Sequence, residues 1–360
     1  MPERVYNFFA GPATLPYDVL KEASKGAVNF ENMGMSIMEI SHRSSQFDSM
    51  FRETQKNMLN IMGLSEDEYA VLFLGGGAST QFCALPFNFL KDGMTADYIV
   101  TGGWSKKAVK EAEFFGKVNI AASSEDANFN YIPEKFNLTP GAAYVHTTSN
   151  NTLVGTRINN FPETGNVPLV SDMSSGFLSR KLDFSKFSLI YAGAQKNIGP
   201  AGVVAVIVRR SWVDKARGEV PTMLSYATHM SKNSLFNTPP AFPVYVVGLV
   251  LKWILDQGGL ETIEAANVKK AELLYSYMDE SNDFYRGTAR KDSRSLMNVT
   301  FRLPSEELEK KFIAESTEND LIGLKGHRSV GGCRASIYNA MPYEGVESLV
   351  EFMKKFKASN

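Results

Sequence analysis

The stretch Tyr191-Ala-Gly-Ala-Gln-Lys-Asn-Ile-Gly-Pro-Ala-Gly202 sets Lys196 among small residues, directly after an apolar strand signal from Leu189 to Ala192. Small neighbours leave room beside the amine for something flat. A lysine in such a loop reads equally well as a solvated cation, so its meaning depends on the rest of the chain.

Lysine amines attack carbonyls once partly stripped of water. A Schiff base to pyridoxal phosphate is a common use of that chemistry, and it calls for a buried carboxylate that keeps the cofactor's ring nitrogen protonated. Asp172 fits this role: it ends the run Val167-Pro-Leu-Val-Ser-Asp172, about one strand-and-connection length before Lys196. Alone, an aspartate at a strand end is more often a turn or helix cap.

Working outward towards the amino terminus, the same grammar repeats. Tyr69 to Leu74 reads as a buried strand that runs into Gly75-Gly-Gly-Ala-Ser-Thr-Gln-Phe82 and then a helix. Backbone amides at such a helix start favour a phosphate, with Ser79 and Thr80 adding hydroxyls, although the spacing matches neither a P-loop nor a dinucleotide fingerprint. Ala96-Asp-Tyr-Ile-Val-Thr-Gly-Gly-Trp104 is another strand ending in glycines, with Trp104 just before a helix expected from Lys106 to Phe115. Its indole suits stacking on a ring or covering the sheet. Ala142 to His146 reads as a strand leading to the polar cluster Thr147 to Thr152, and Gly202 to Val208 as a further strand. Strands alternating with helices over residues 20–210 predict a mostly parallel α/β sheet. Ligands of such sheets sit beyond the carboxyl ends of the strands, where Ser79, Trp104, Thr152, Asp172 and Lys196 all fall.

The flanks differ in character. Asn7 to Pro16 is a turn-rich arm before a helix at Tyr17 to Ala27, and His42-Arg43 occupies a polar loop before a helix at Asp48 to Met62. Beyond Pro221 the chain is loop-rich through Asn237 and Thr238, then helical from Tyr245 to Ser281 with a break at Gly258-Gly259. The remainder reads as a small α+β unit: a strand at Ser295 to Leu303, helices at Ser305 to Asn319 and Gly345 to Phe356, and a basic loop holding His327, Arg328 and Arg334. The expected division is an arm over 1–16, a large domain over 17–258 and a small domain over 259–360.

Composition narrows the function classes. The 38 basic and 39 acidic residues nearly cancel over 360 residues, which implies neither nucleic acid nor a membrane surface. Cys83 and Cys333 lie far apart, arguing against a disulfide framework or a cysteine metal site and for a reducing, cytoplasmic setting. The first residues lack a secretory h-region, and no apolar run approaches transmembrane length.

Ser41-His-Arg43, Tyr191 to Gly202, Phe236-Asn-Thr-Pro-Pro240 and Lys325-Gly-His-Arg-Ser-Val-Gly-Gly-Cys-Arg-Ala-Ser-Ile-Tyr-Asn-Ala-Met-Pro342 together carry a resemblance across nearly the whole chain. It resembles the phosphoserine aminotransferase family, pyridoxal-phosphate enzymes of aminotransferase class V on the fold-type I scaffold. The resemblance implies a mostly parallel sheet of roughly seven strands in the large domain and a small α+β carboxyl-terminal domain. It implies Lys196 as the Schiff-base lysine, Asp172 as the ring-nitrogen partner and Trp104 as the stacking residue, with Ala78, Ser79, Thr152 and Gln195 completing the cofactor contacts. Asn237 and Thr238 would reach the cofactor phosphate of a second subunit, which implies a homodimer with shared sites. Arg334 would clamp the substrate α-carboxylate, while His42, Arg43, His327 and Arg328 would surround the substrate phosphate or the distal carboxylate of glutamate. No metal is implied. The implied substrates are 3-phosphoserine, 2-oxoglutarate, 3-phosphohydroxypyruvate and glutamate, with 4-phosphohydroxythreonine as a further substrate in pyridoxine synthesis.

Two positions depart from the family pattern. Ser79 stands where some members have an arginine, and Ala10 stands where the family's Ser-Ser-Gly-Pro has a serine. Two rival readings stay open at this point. One is a desulfurase or lyase using Cys333 as an activated thiol, and the other is a non-catalytic anion-binding module.

Overall fold

The structure, a computed structural model, describes residues 4–360. A short strand in the arm, β1 (Tyr6–Asn7), precedes the large sheet. That sheet is built from β2 (Tyr69–Leu74), β3 (Thr95–Val100), β4 (Lys117–Ser123), β5 (Val145–Thr148), β6 (Leu169–Asp172), β7 (Phe187–Gly193) and β8 (Val204–Arg209). Its seven strands lie in the order β2-β8-β7-β6-β5-β3-β4. The pairs are parallel except at β8, which runs antiparallel to both β2 and β7.

The central strands are apolar almost throughout because both of their faces are covered. Along β7 and β8, Leu189, Tyr191, Val204, Val206 and Val208 enter one core, while Ile190, Ala192, Ala205 and Ile207 enter the other, the two-residue alternation of a pleated strand. The first core is closed by α3 (Gly77–Phe89) and α4 (Gly103–Ala112), the second by α1 (Tyr17–Val28), α2 (Ser45–Met62) and α7 (Ala241–Asp256). Two short helices, α5 (Arg210–Val213) and α6 (Tyr226–Ser231), follow β8 before α7. Helix α2 starts at Ser45 rather than Asp48, because the Ser44 hydroxyl accepts the Phe47 N–H at 3.3 Å.

After Gly258-Gly259, α8 (Leu260–Asp279) joins two cores: Leu260 and Ile263 pack beneath the large sheet, whereas Ala271, Leu274 and Met278 belong to a third core. That core is framed by β9 (Arg286–Gly287), β10 (Asn298–Arg302), α9 (Glu306–Glu318), β11 (Leu321–Ile322), β12 (Cys333–Ser336) and α10 (Tyr343–Ala358). Strands β12, β10 and β9 form an antiparallel sheet, and the arm is pinned to this unit by parallel pairing of β1 with β11 and by buried Phe8.

A buried polar seam fixes the small sheet against the strand ends of the large one. Asn150 donates to Asn298 Oδ1 at 2.8 Å, Thr300 donates to the Val154 carbonyl at 2.9 Å, and Tyr338 donates to the Ala10 carbonyl at 2.8 Å. Such a seam is favourable only when its members are satisfied, and it therefore selects one relative placement of its parts. Ala10 contributes to it through its backbone, so the missing serine hydroxyl leaves this contact intact.

Three expectations need correction. Strand β4 was not anticipated. Trp104 lies within the first turn of α4, which begins at Gly103 and not at Lys106, because Ser105 Oγ accepts the Thr101 and Gly102 N–H groups at 3.1 Å each. The strand expected at Ala142 to His146 runs instead over Val145–Thr148, so Thr147 and Thr148 belong to it and not to the loop beyond.

Candidate active site

Strand β7 ends at Gly193, and the turn that follows carries Lys196 beyond the sheet's edge. Its half-buried amine donates to Thr152 Oγ1 at 2.8 Å. Burial pulls the Lys196 pKa down to about 8, with Asp172 resisting and the Arg334 charge assisting. The amine is thereby brought within reach of its neutral, nucleophilic form near physiological pH. Asp172 ends β6 on the neighbouring strand, buried, with Oδ1 accepting the Ser174 N–H at 2.9 Å. Burial pushes its carboxyl upward against the opposing pull of Lys196 and the Ser174 hydrogen bonds.

Above these strand ends stands the start of α3. Gly76 caps it with φ 81°, and a Cβ there would lie 1.9 Å from Thr80 Oγ1, so the close turn requires glycine. No side chain caps this terminus, which leaves its amides open to an anion. Ala78 is half-buried and Ser79 exposed in that first turn. A cavity of about 270 Å³ is lined by Gly75, Gly76 and Thr80 and also by Asn237, so the same chain brings its own Asn237 beside the glycine loop. Thr238 is exposed, and its carbonyl accepts from Asn237 Nδ2 at 3.1 Å.

Trp104 faces the lysine: its ring centroid is 5.6 Å from Lys196 Nζ and 4.3 Å from Lys107 Nζ, and its indole N–H is buried without a partner. The arm also packs against the lysine. The Gln195 carbonyl accepts the Ala13 N–H at 2.9 Å, and a Cβ on Gly11 would stand 3.2 Å from Lys196 Cγ.

Arg334 reaches the site from β12. It is 9% exposed, Nη1 donates to the Thr152 carbonyl at 3.3 Å, and Nε has no partner. His327 Nδ1 meets Ser329 Oγ at 2.7 Å, and burial followed by the charges of Arg334, Arg328 and Lys107 holds its pKa below the usual histidine value. Among the described residues, no ion pair engages Arg328, Arg334, Lys107 or Lys196. Arg328 and Lys107 are exposed, but buried Arg334 and half-buried Lys196 are cations without an ion pair in a partly dry site, which favours an anionic ligand. His42 is half-buried and Arg43 exposed in the loop before α2, where the Arg43 N–H donates to Ser41 Oγ at 3.3 Å.

These features fit pyridoxal phosphate. A partly neutral amine suits its aldehyde, a buried carboxylate its ring nitrogen, an uncapped helix start its phosphate, and the unpartnered Thr148 Oγ1 and Trp104 Nε1 offer further polar contacts. Residues 5–349 match the class-V aminotransferase family. The chain belongs to that family. A phosphoserine aminotransferase of Desulfatibacillum aliphaticivorans is 59% identical over 362 residues, covering all of both chains. The structure of phosphoserine aminotransferase from Bacillus circulans subsp. alkalophilus shares 53% identity and a TM-score of 0.97 over 99% of each chain. That of pyridoxal-phosphate-bound phosphoserine aminotransferase from Trichomonas vaginalis shares 37% identity and a TM-score of 0.92, over 98% of this chain and all of the other.

The family scaffold leaves no activated thiol at Cys333. Its side chain is buried in the third core on the opposite strand face from Arg334, and burial pushes the thiol far above its ordinary range. The sequence reading missed Lys107, which looks like an ordinary solvated helix lysine. Its spacing of three residues from Trp104 was the available signal. It also missed Asn197, which accepts the Asn339 N–H at 2.9 Å and anchors the turn beside Lys196 to the segment after β12.

Proposed function

We propose that this chain is a phosphoserine aminotransferase that exchanges the amino group between 3-phosphoserine and 2-oxoglutarate. In the biosynthetic direction it forms phosphoserine from 3-phosphohydroxypyruvate and glutamate, for serine synthesis. The observation that carries this reading is Lys196 held on Thr152 Oγ1 at 2.8 Å at the strand ends beside buried Asp172, with Arg334, whose Nε has no partner, bound to the carbonyl of the same Thr152. A coupled assay of the purified protein with phosphoserine, serine and 4-phosphohydroxythreonine tests it. Turnover of serine as fast as phosphoserine would sink it, and turnover of the threonine analogue would extend it to pyridoxine synthesis.

When bound, pyridoxal phosphate supplies an aldehyde for the amine and a protonated ring that accepts the electron pair released at the substrate Cα. Asp172 would hold the proton on the cofactor's ring nitrogen, and Trp104 would stack on its ring. The α3 amides would hold its phosphate, with Ala78, Ser79, Thr152 and Gln195 completing the cofactor contacts. Thr152 orients Lys196, whose neutral amine takes the proton from the substrate Cα. Arg334 grips the α-carboxylate, while His42, Arg43, His327, Arg328 and Lys107 receive the distal dianion.

Substrate choice follows from this division of charges. A charge-assisted hydrogen bond is worth roughly 1.5–3 kcal/mol, so Arg43→Ala or Arg328→Ala should lower kcat/KM for phosphoserine about ten- to a hundredfold. Alanine, which has no distal charge, should be nearly unaffected. Equal losses for both substrates would remove the cluster from phosphate selection.

The reading includes a homodimer with shared sites. It is supported by exposed Met35, Met38 and Phe236, which flank the two candidate reaching segments. Mixing Lys196→Ala subunits with subunits altered at both Asn237 and Thr238 should restore activity, because one site of each heterodimer then carries neither lesion. Verified heterodimers without activity would mean that Asn237 serves the glycine loop of its own chain, beside which it lies.

The arm, large and small domains are assigned to 1–16, 17–258 and 259–360, a division supported by the third core and tested by limited proteolysis near Gly258-Gly259. A cytoplasmic setting suits the two free cysteines and is tested by cell fractionation. Among the described residues, no single helix is long and apolar enough to cross a membrane.

A further inference from the structure

Just past β5, a cavity of about 20 Å³ lies among Ser149, Arg157, Arg180 and the apolar side chains of Leu182, Leu296 and Met297. A space of that size holds one water-sized species and is too small for a phosphate or an amino acid. Its charge is out of balance. Arg157 and Arg180 are both half-buried, and among the described residues neither has an ion pair. The carboxylate within electrostatic reach of both, Glu264, which accepts the Lys181 backbone N–H at 3.0 Å, supplies one negative charge against two guanidinium groups. Burial and then the neighbouring Arg157 pull the Arg180 pKa down to about 10, a sign that the two cations repel each other in a partly dry place.

The hydrogen bonding is incomplete as well. Arg180 Nη2 donates to the Ile158 carbonyl, but Arg157 Nε has no partner. Ser149 is 5% exposed, and its hydroxyl is also without a partner. A water molecule would satisfy these donors but leave one of the two guanidinium charges unmatched beyond what Glu264 offsets. A single negative charge does both.

We propose that this cavity is a binding site for a monovalent, near-spherical anion of chloride size, held by Arg157, Arg180 and the Ser149 hydroxyl. Its position gives it a structural role. Asn150, also in the cavity wall, donates to Asn298 Oδ1 on β10, so the occupant sits behind the seam that sets the small sheet against the large one. None of its three ligands belongs to the cofactor or substrate machinery described above.

The test uses the complete holoenzyme with bromide or chloride as the probe. Crystals of the wild type soaked in bromide should show an anomalous peak between Arg157 and Arg180. In solution, the thermal midpoint should rise saturably by a few degrees as chloride replaces gluconate at constant ionic strength, because gluconate is too large to enter. Ser149→Ala, a small change that keeps both arginines, should raise the half-saturating chloride about tenfold, and Arg180→Leu should abolish the dependence. Bromide peaks elsewhere with none in this cavity would overturn the proposal, as would identical chloride responses in wild type and Ser149→Ala.

Discussion

Lys196→Ala is expected to lower turnover by at least about 10⁴-fold, because one amine both forms the link to the cofactor and moves the substrate proton. The fold should survive. The side chain makes one hydrogen bond, to Thr152, and its charged form is disfavoured where it stands. The sign of the stability effect follows from titration. The folded-state pKa of about 8 lies below the ordinary 10.5, so between these values the unfolded chain binds the extra proton and wild-type stability rises with pH. Below pH 8 the folded apoprotein carries the full cost of the buried ammonium. Removing Lys196 should therefore stabilise the apoprotein most below pH 8, and the gain should fade towards pH 10.5. Thermal unfolding of both apoproteins across that range checks this, and a destabilised variant at pH 7 would mean that the lysine is part of the packing.

Much of this site is legible in the sequence, for a physical reason. A buried strand is written as a short apolar run, and the residue that ends the run stands at the edge of the sheet. That is how Asp172 and Lys196 can be placed together without knowing a single contact. Strand β4 escapes the same reading because most of its residues are not buried, unlike those of β2 at the other edge. Lys117–Ser123 pairs with β3 alone and keeps an exposed face, so Lys-Val-Asn-Ile-Ala-Ala-Ser has no apolar run to betray it. The start of α4 escapes because it depends on a serine cap inside the helix rather than before it.

Long-range electrostatics are less legible still. Nothing in the sequence around Arg157 and Arg180 indicates that the fold brings them together at one small cavity. Arg334 can be assigned to the site through motif resemblance, but its meeting with Thr152 spans 182 residues and depends on the seam between the two sheets.

Arg334→Ala is expected to have the second-largest effect, and it should fall on every amino acid alike. The guanidinium is buried with Nη1 spent on the Thr152 carbonyl and Nε free, which leaves its planar fork available to a carboxylate. Two charge-assisted hydrogen bonds at roughly 1.5–3 kcal/mol each correspond to about 10²- to 10⁴-fold in kcat/KM. Phosphoserine, glutamate and alanine share the α-carboxylate, so their losses should agree. Arg334→Lys restores a charge without the fork and should recover only part of the activity. A second readout separates this role from simple damage. Arg334 helps to depress the Lys196 pKa, so its removal should move the titration of that amine upward from about 8, while Arg334→Lys should hold it near the wild-type value. The rate at which apoprotein takes up pyridoxal phosphate, followed against pH, reports that titration through the fraction of neutral amine. An alanine kcat/KM unchanged in Arg334→Ala would move the α-carboxylate site elsewhere, and an unmoved pH profile would mean that Arg334 does not set the charge of Lys196.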